Sequence, residues 1–86
     1  MIEVLIEGPH PALGIVGQDS QRHYMPWRPL PPVVDWLTDN CKKSYLTAHE
    51  VEMSFEQGVG QIPFFVGIRF IFEDHDEAML FKLTFL

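Results

Sequence analysis

Apolar and polar residues alternate most regularly in the last third of the chain. Residues 64–72 carry an apolar side chain at every second position: Phe64, Val66, Ile68, Phe70 and Phe72. Residues 45–55 alternate in the same way, with two contrasting faces: His49, Val51, Met53 and Phe55 against Glu50, Glu52 and Ser54. We expect two antiparallel strands, the first half-buried and the second the main strand of the core. The glycine-containing segment 56–63 is predicted to be the loop between them.

Two further elements are predicted upstream. Residues 1–7 alternate as a short strand that Gly8 and Pro9 end, although Leu5 interrupts the alternation. Residues 31–43 are typical of a helix, because proline suits the first turn and apolar residues recur at a spacing of four: Val33, Leu37 and Cys41. Two lysines at the end of this segment suit the negative end of the helix dipole.

The final segment, 78–86, fits two patterns. Ala78, Phe81 and Phe85 have helical spacing, whereas every second residue from Met79 is also apolar, as in a strand. We favour the helix, because Asp74 and Glu77 have the spacing of a capping box. The predicted fold class is α+β, with a truncated ferredoxin-like β-α-β-β-α order and helices on one face of a three-stranded antiparallel sheet. A terminal strand would instead give four strands and one helix.

A long proline-rich connection separates the first strand from the helix. Residues 9–32 contain six of the seven prolines in this chain of 86 residues, which is short enough for one domain. Connections of this length are usually functional, flexible or built from small elements of their own. A small hairpin between residues 12–16 and 22–25 is one arrangement, and an irregular loop is the other.

Recognisable catalytic chemistry is missing from the sequence. The four histidines do not share the close spacing of metal ligands, and Cys41 lacks a CxxC partner. A lone cysteine on a helical apolar stripe is usually part of the core. The short glycine runs at 14–17 and 58–60 do not match a phosphate-binding loop. We therefore expect a non-enzymatic protein with no catalytic, cofactor or metal site.

The segment around Trp27 is the strongest candidate for contact with another protein. Tyr24, Trp27 and Arg28 belong to the residue types that dominate binding hot spots, and neighbouring prolines would pre-order the loop. The alternative is that Trp27 folds back and covers one end of the core. Glu50 and Glu52 are predicted to aid binding, and either could pair with Arg69 across the strands.

Composition narrows the class of partner. The net charge is −6, from 12 acidic and 6 basic residues, which disfavours direct binding to nucleic-acid phosphates. A single cysteine excludes an internal disulfide and suits a reducing compartment. The N-terminus does not resemble a signal peptide, and no apolar run approaches the ~18 residues of a membrane helix. We expect a soluble cytoplasmic protein without membrane contact.

The C-terminal segment resembles the ending of short uncharacterised proteins of tailed bacteriophages. An aromatic strand, an acidic turn at 73–77 and the run Ala78-x-x-Phe81-Lys82-Leu83-x-Phe85 carry the resemblance, which covers about a fifth of the chain. It implies a small phage-encoded protein in the bacterial cytoplasm that binds and inhibits or redirects a host or defence protein. The alternative is a virion or assembly component that self-associates, for example as a homodimer.

Overall fold

The computed structural model describes residues 1–15 and 26–86, which form an α+β domain. In chain order the elements are β1 (Ile2–Glu7), β2 (Leu13–Ile15), β3 (Trp27–Pro29), α1 (Pro31–Asn40), β4 (Tyr45–Glu56), β5 (Gly60–Phe72) and α2 (His75–Phe85). The main sheet is antiparallel with strand order β1-β5-β4, and β2 and β3 form a second, two-stranded sheet. The α+β class and the β-α-β-β-α order of the main sheet and helices are therefore confirmed.

The core lies on one face of the main sheet, which we call the inner face. Val4 and Ile6 of β1 lie opposite Phe70 and Ile68 of β5, and all four side chains are buried. Phe81 of α2 packs on this face, with its ring 4.7 Å from that of Phe70. Val33 and Leu37 of α1 belong to the same buried cluster. The predicted core strand is confirmed for Ile68, Phe70 and Phe72, which are buried, but a register shift places Phe64 opposite Glu52, away from this face.

The C-terminal segment is the expected helix. The carboxylate of Asp74 accepts a hydrogen bond from the backbone N–H of Glu77 at 3.3 Å, which satisfies one of the otherwise unpaired donors at the helix start. Ala78 and Phe81, one turn apart, are both fully buried. The helical reading of the apolar spacing was correct because this face packs on the sheet.

The first helix is shorter than predicted. It ends at Asn40 rather than at Lys43, and Cys41 has an extended backbone. The reason is a contact with α2: the buried carboxylate of Glu77 accepts the backbone N–H groups of Lys42, at 2.6 Å, and Lys43, at 3.3 Å. These N–H groups point at α2 instead of continuing the helix.

Part of the proline-rich connection forms the small second sheet. Leu13 pairs with Pro29 and Ile15 pairs with Trp27. β2 therefore lies within the first predicted strand of the hairpin, 12–16, and in the described chain it pairs with β3; the second predicted strand is residues 22–25. Those residues lie outside the described part of the chain.

The β4–β5 hairpin is longer than predicted and extends past the core. The loop expected at 56–63 is reduced to a turn at 57–59, in which Gly58 has a positive φ of 87°. The expectation that β4 is half-buried is wrong, because all its residues except Glu50 are exposed. β1 has six residues and pairs only with 67–72, so it does not extend along the part of the hairpin beyond Gly67. The radius of gyration is 14.5 Å, against about 12 Å for a compact chain of this length.

Candidate protein-binding surface

Trp27 lies in the interior, and the expectation that it is displayed for a partner is wrong. Its side chain is only 8% exposed and belongs to the hydrophobic core. The indole N–H donates a hydrogen bond to the backbone carbonyl of Phe65 at 3.1 Å. This hydrogen bond joins the small sheet to β5. Trp27 therefore belongs to the core, in agreement with the alternative interpretation of the sequence.

The other residues of the predicted contact segment do not assemble around Trp27. Arg28 is exposed on β3, where its neighbour in the paired strand is Gly14. Tyr24 lies outside the described residues. Of the predicted contact residues Tyr24, Trp27 and Arg28, the structure therefore shows only Arg28 as exposed.

Glu50 and Glu52 lie on the face of the main sheet opposite the core, which we call the outer face. Arg69 of β5 forms ion pairs with Glu50 and with Glu3, the latter at 3.2 Å. The predicted cross-strand pair therefore forms with Glu50. These side chains are partly exposed, and such pairs contribute only about 0–1 kcal/mol to stability. Glu52 lies on the same face and is exposed. The ion pair with Arg69 involves Glu50 and not Glu52.

The end of the β4–β5 hairpin that is farthest from the core is the most distinctive surface among the described residues. A β-bulge between Glu50 and Val51 marks the point where the hairpin leaves the core. We call residues 51–65, beyond this bulge, the arm. At about 3.4 Å per residue, the six residues of β4 in the arm extend roughly 20 Å. Phe55 near the tip is 77% exposed and Met53 is 57% exposed.

The two faces of the arm differ in chemistry. Its inner face continues the apolar face of the core, because the cross-strand pairs there are Val51 with Phe65, Met53 with Pro63 and Phe55 with Gln61. At its base, the rings of His49 and Phe65 meet with centroids 5.4 Å apart. The outer face carries Glu52, Ser54 and Glu56 on β4, which lie opposite Phe64, Ile62 and Gly60 on β5. An apolar face therefore continues from the core to exposed positions along β4.

Negative charge dominates the outer face of the sheet. In the three strands, all within the described part of the chain, this face carries five carboxylates and one guanidinium: Glu3, Glu7, Glu50, Glu52 and Glu56 with Arg69. Five negative charges and one positive charge leave a formal charge of −4 on this face. In the acidic turn at 73–77, Glu77 does not add to this surface, because it is buried against the end of α1.

A second exposed apolar surface lies on α2. Opposite its buried side, the helix and the residue after it carry four exposed apolar side chains, which we call the helix stripe: Met79, Leu80, Leu83 and Leu86. Leu83 is 78% exposed. A helix that is apolar on two sides is normally covered on both.

The described residues were also compared with the geometry of metal sites and reactive thiols. Among residues 1–15 and 26–86, no group of three His, Cys, Asp or Glu side chains converges as metal ligands would. Cys41 has a raised pKa, because partial burial and the nearby carboxylates of Glu77 and Asp74 disfavour the thiolate. A mostly apolar cleft of about 270 Å³ lies between residues 10–12 and the ends of the helices. Its His10 Nδ1 already accepts the N–H of Ala12 at 3.0 Å.

The fold and its surface define a small α+β domain with a projecting β-hairpin. Neither helix of the described chain combines the length and the apolar character that crossing a lipid bilayer requires. Comparison with protein-family models, characterised proteins and solved structures finds no match for the chain. The resemblance to bacteriophage proteins therefore stays an expectation.

Proposed function

We propose that this is a non-enzymatic protein-binding domain that contacts its partner through the arm. The observation that carries the proposal is the exposure of Met53 and Phe55 on a projecting hairpin, where they contribute little to the core. Exposed aromatic and methionine side chains are enriched in the centres of protein interfaces. A projecting hairpin also reaches into concave surfaces that a flat sheet cannot enter.

The resemblance of the C-terminal segment supports a narrower form of the proposal. The partner would be a host or defence protein in the bacterial cytoplasm, and occupation of its surface by the arm would inhibit or redirect it. The acidic outer face favours a protein partner over nucleic acid, because phosphate groups would be repelled.

The arm can be tested by comparing prey captured from bacterial lysates. The double variant Met53→Ser/Phe55→Ser removes two exposed apolar side chains of the arm and leaves the core intact. Leu83→Ser is the matched control, because Leu83 is as exposed as Phe55 but lies on the helix stripe. We expect mass spectrometry to identify prey that wild type and the control retain and the arm variant loses. Identical prey lists for all three proteins would refute a role for the arm.

Self-association is the second candidate function, and the helix stripe favours it. If two copies cover each other's stripes, the chain would act as a structural or assembly component. Sedimentation equilibrium at micromolar concentration would then show a dimer that Leu83→Lys converts to a monomer. A wild-type protein that remains monomeric at these concentrations would remove this candidate.

A further inference from the structure

The edge of the arm has the properties of a docking site for an extended peptide. β4 is an edge strand of twelve residues, and no described strand pairs with its outer side. Such an edge presents a row of unpaired N–H and C=O groups, which natural proteins usually protect with proline, lysine or a short strand. β4 is long and contains neither proline nor lysine.

A second copy of β4 is a poor occupant of this edge. If two β4 strands pair so that their apolar sides match, their glutamates must share the other side. Each copy brings Glu50, Glu52 and Glu56 to that side. Six carboxylates would then lie on one small surface, and like charges across neighbouring strands are destabilising. These charges protect the edge against self-pairing but would attract a basic strand.

We propose that a partner adds an extended segment to β4 as a fourth strand, and that this segment alternates apolar and basic residues. Its backbone would complete the sheet, its apolar side chains would cover Val51, Met53 and Phe55, and its lysines or arginines would lie beside the glutamates. Strand addition is an established mode of peptide recognition, with affinity from the backbone and specificity from alternate side chains. This inference rests on the proposed protein-binding role of the arm and specifies its partner.

A synthetic peptide of alternating valine and lysine, about eight residues long, is the direct probe. Isothermal titration calorimetry measures its affinity for the full chain, and hydrogen exchange locates it. We expect binding to slow the exchange of amides in residues 49–56 and to leave α2 unchanged. A valine–glutamate peptide of equal length should bind at least about tenfold more weakly, since each cross-strand charge pair contributes a few tenths of a kcal/mol or more.

A backbone-modified peptide separates strand addition from simple side-chain contact. N-methylation of two consecutive central residues keeps every side chain but removes one donor on each edge of the peptide. Loss of one hydrogen bond and the added methyl group should weaken binding about tenfold. Equal binding of the methylated peptide would overturn strand addition and leave the arm as a protein-binding surface.

Charge reversal on the protein tests the chemistry of the segment. In Glu52→Lys/Glu56→Lys the preference should invert, so that the valine–glutamate peptide binds more tightly than the valine–lysine peptide. Asp35→Lys/Asp39→Lys is the matched control, because it changes the net charge equally at exposed positions of α1. If the control inverts the preference as well, net charge decides binding and the proposed pairing is wrong. If wild type binds no peptide at millimolar concentration, this inference fails, whereas the capture experiment still tests the arm.

Discussion

Replacement of Trp27 by alanine should unfold much of the protein at moderate temperature. The change removes an almost fully buried indole and its hydrogen bond to the Phe65 carbonyl, which joins the small sheet to β5. Truncation of a buried tryptophan costs about 3–5 kcal/mol. A chain of 86 residues has a total stability of about 4–13 kcal/mol, at roughly 0.05–0.15 kcal/mol per residue. The substitution therefore removes a large fraction of the stability.

Thermal denaturation followed by far-ultraviolet circular dichroism measures this effect. At about 4–8 °C per kcal/mol for a domain of this size, Trp27→Ala should lower Tm by at least about 12 °C. Trp27→Phe keeps a ring in the cavity and loses the hydrogen bond, so it should cost only about 1–2 kcal/mol. Val34→Ala, at an exposed position of α1, is the control and should melt with the wild type.

The opposite result would have a clear meaning. If Trp27→Ala melts together with Val34→Ala and wild type, the indole is not part of the core. In that case the prediction from the sequence, a displayed tryptophan that anchors a partner, would be restored. Loss of partner capture by Trp27→Ala is informative only if the variant remains folded under the conditions of the capture.

Three further outcomes can be checked with purified variants. Gly67→Ala should destabilise the protein by about 1–3 kcal/mol in urea denaturation, because the added Cβ would overlap the backbone carbonyl oxygen of Ile6. Glu77→Ala should cost about 1.5–3 kcal/mol in the same assay, since two backbone N–H groups lose a charged acceptor; Glu77→Gln should cost less. Iodoacetamide at pH 8 should modify Cys41 more slowly in the folded than in the urea-unfolded chain, because burial, Glu77 and Asp74 raise the pKa of the thiol and lower its thiolate fraction. Equal rates would contradict the placement of Cys41.

The elements that depend on local pattern could be predicted from the sequence. The alternation in 64–72 and the capping pair Asp74 and Glu77 identified the core strand and the last helix. Each of these patterns is formed by residues that are close together in sequence. It could therefore be recognised without knowledge of the tertiary contacts.

The end of α1 and the orientation of Trp27 depend on contacts between distant parts of the chain. The helix stops because the carboxylate of Glu77 accepts the backbone N–H groups of Lys42 and Lys43, which lie 35 and 34 residues away in sequence. The indole of Trp27 donates to Phe65, 38 residues away. Local sequence pattern does not identify such distant hydrogen-bond partners. The residues around Trp27 were compatible both with a buried tryptophan and with one in an interface.

The alternation in the arm was recognised from the sequence, but its projection beyond the core was not predicted. The alternation in 45–55 does mark one face as apolar, and that face continues the inner face of the core. Alternation does not say whether a face is covered, however, and among the described strands β1 is too short to pair with β5 beyond Gly67. β1 supplies six residues, whereas β4 and β5 supply twelve and thirteen. Much of this mismatch was not visible in the sequence, because the loop predicted at 56–63 made the last strand appear to begin at Phe64, whereas it begins at Gly60.

The composition of the arm is hard to explain by the stability of the isolated chain. An exposed side chain such as Phe55 contributes little hydrophobic free energy, because that term scales with the apolar area removed from water. An isolated two-stranded hairpin is itself only marginally stable, so the arm depends on its continuity with the buried half of β5. Apolar residues at 51, 53 and 55 nevertheless alternate with Glu52, Ser54 and Glu56 as strictly as they would beneath a covering layer. A partner that binds this apolar face after the chain has folded would account for the pattern. The glutamates would then prevent the β4 edge from pairing with the same edge of a second copy.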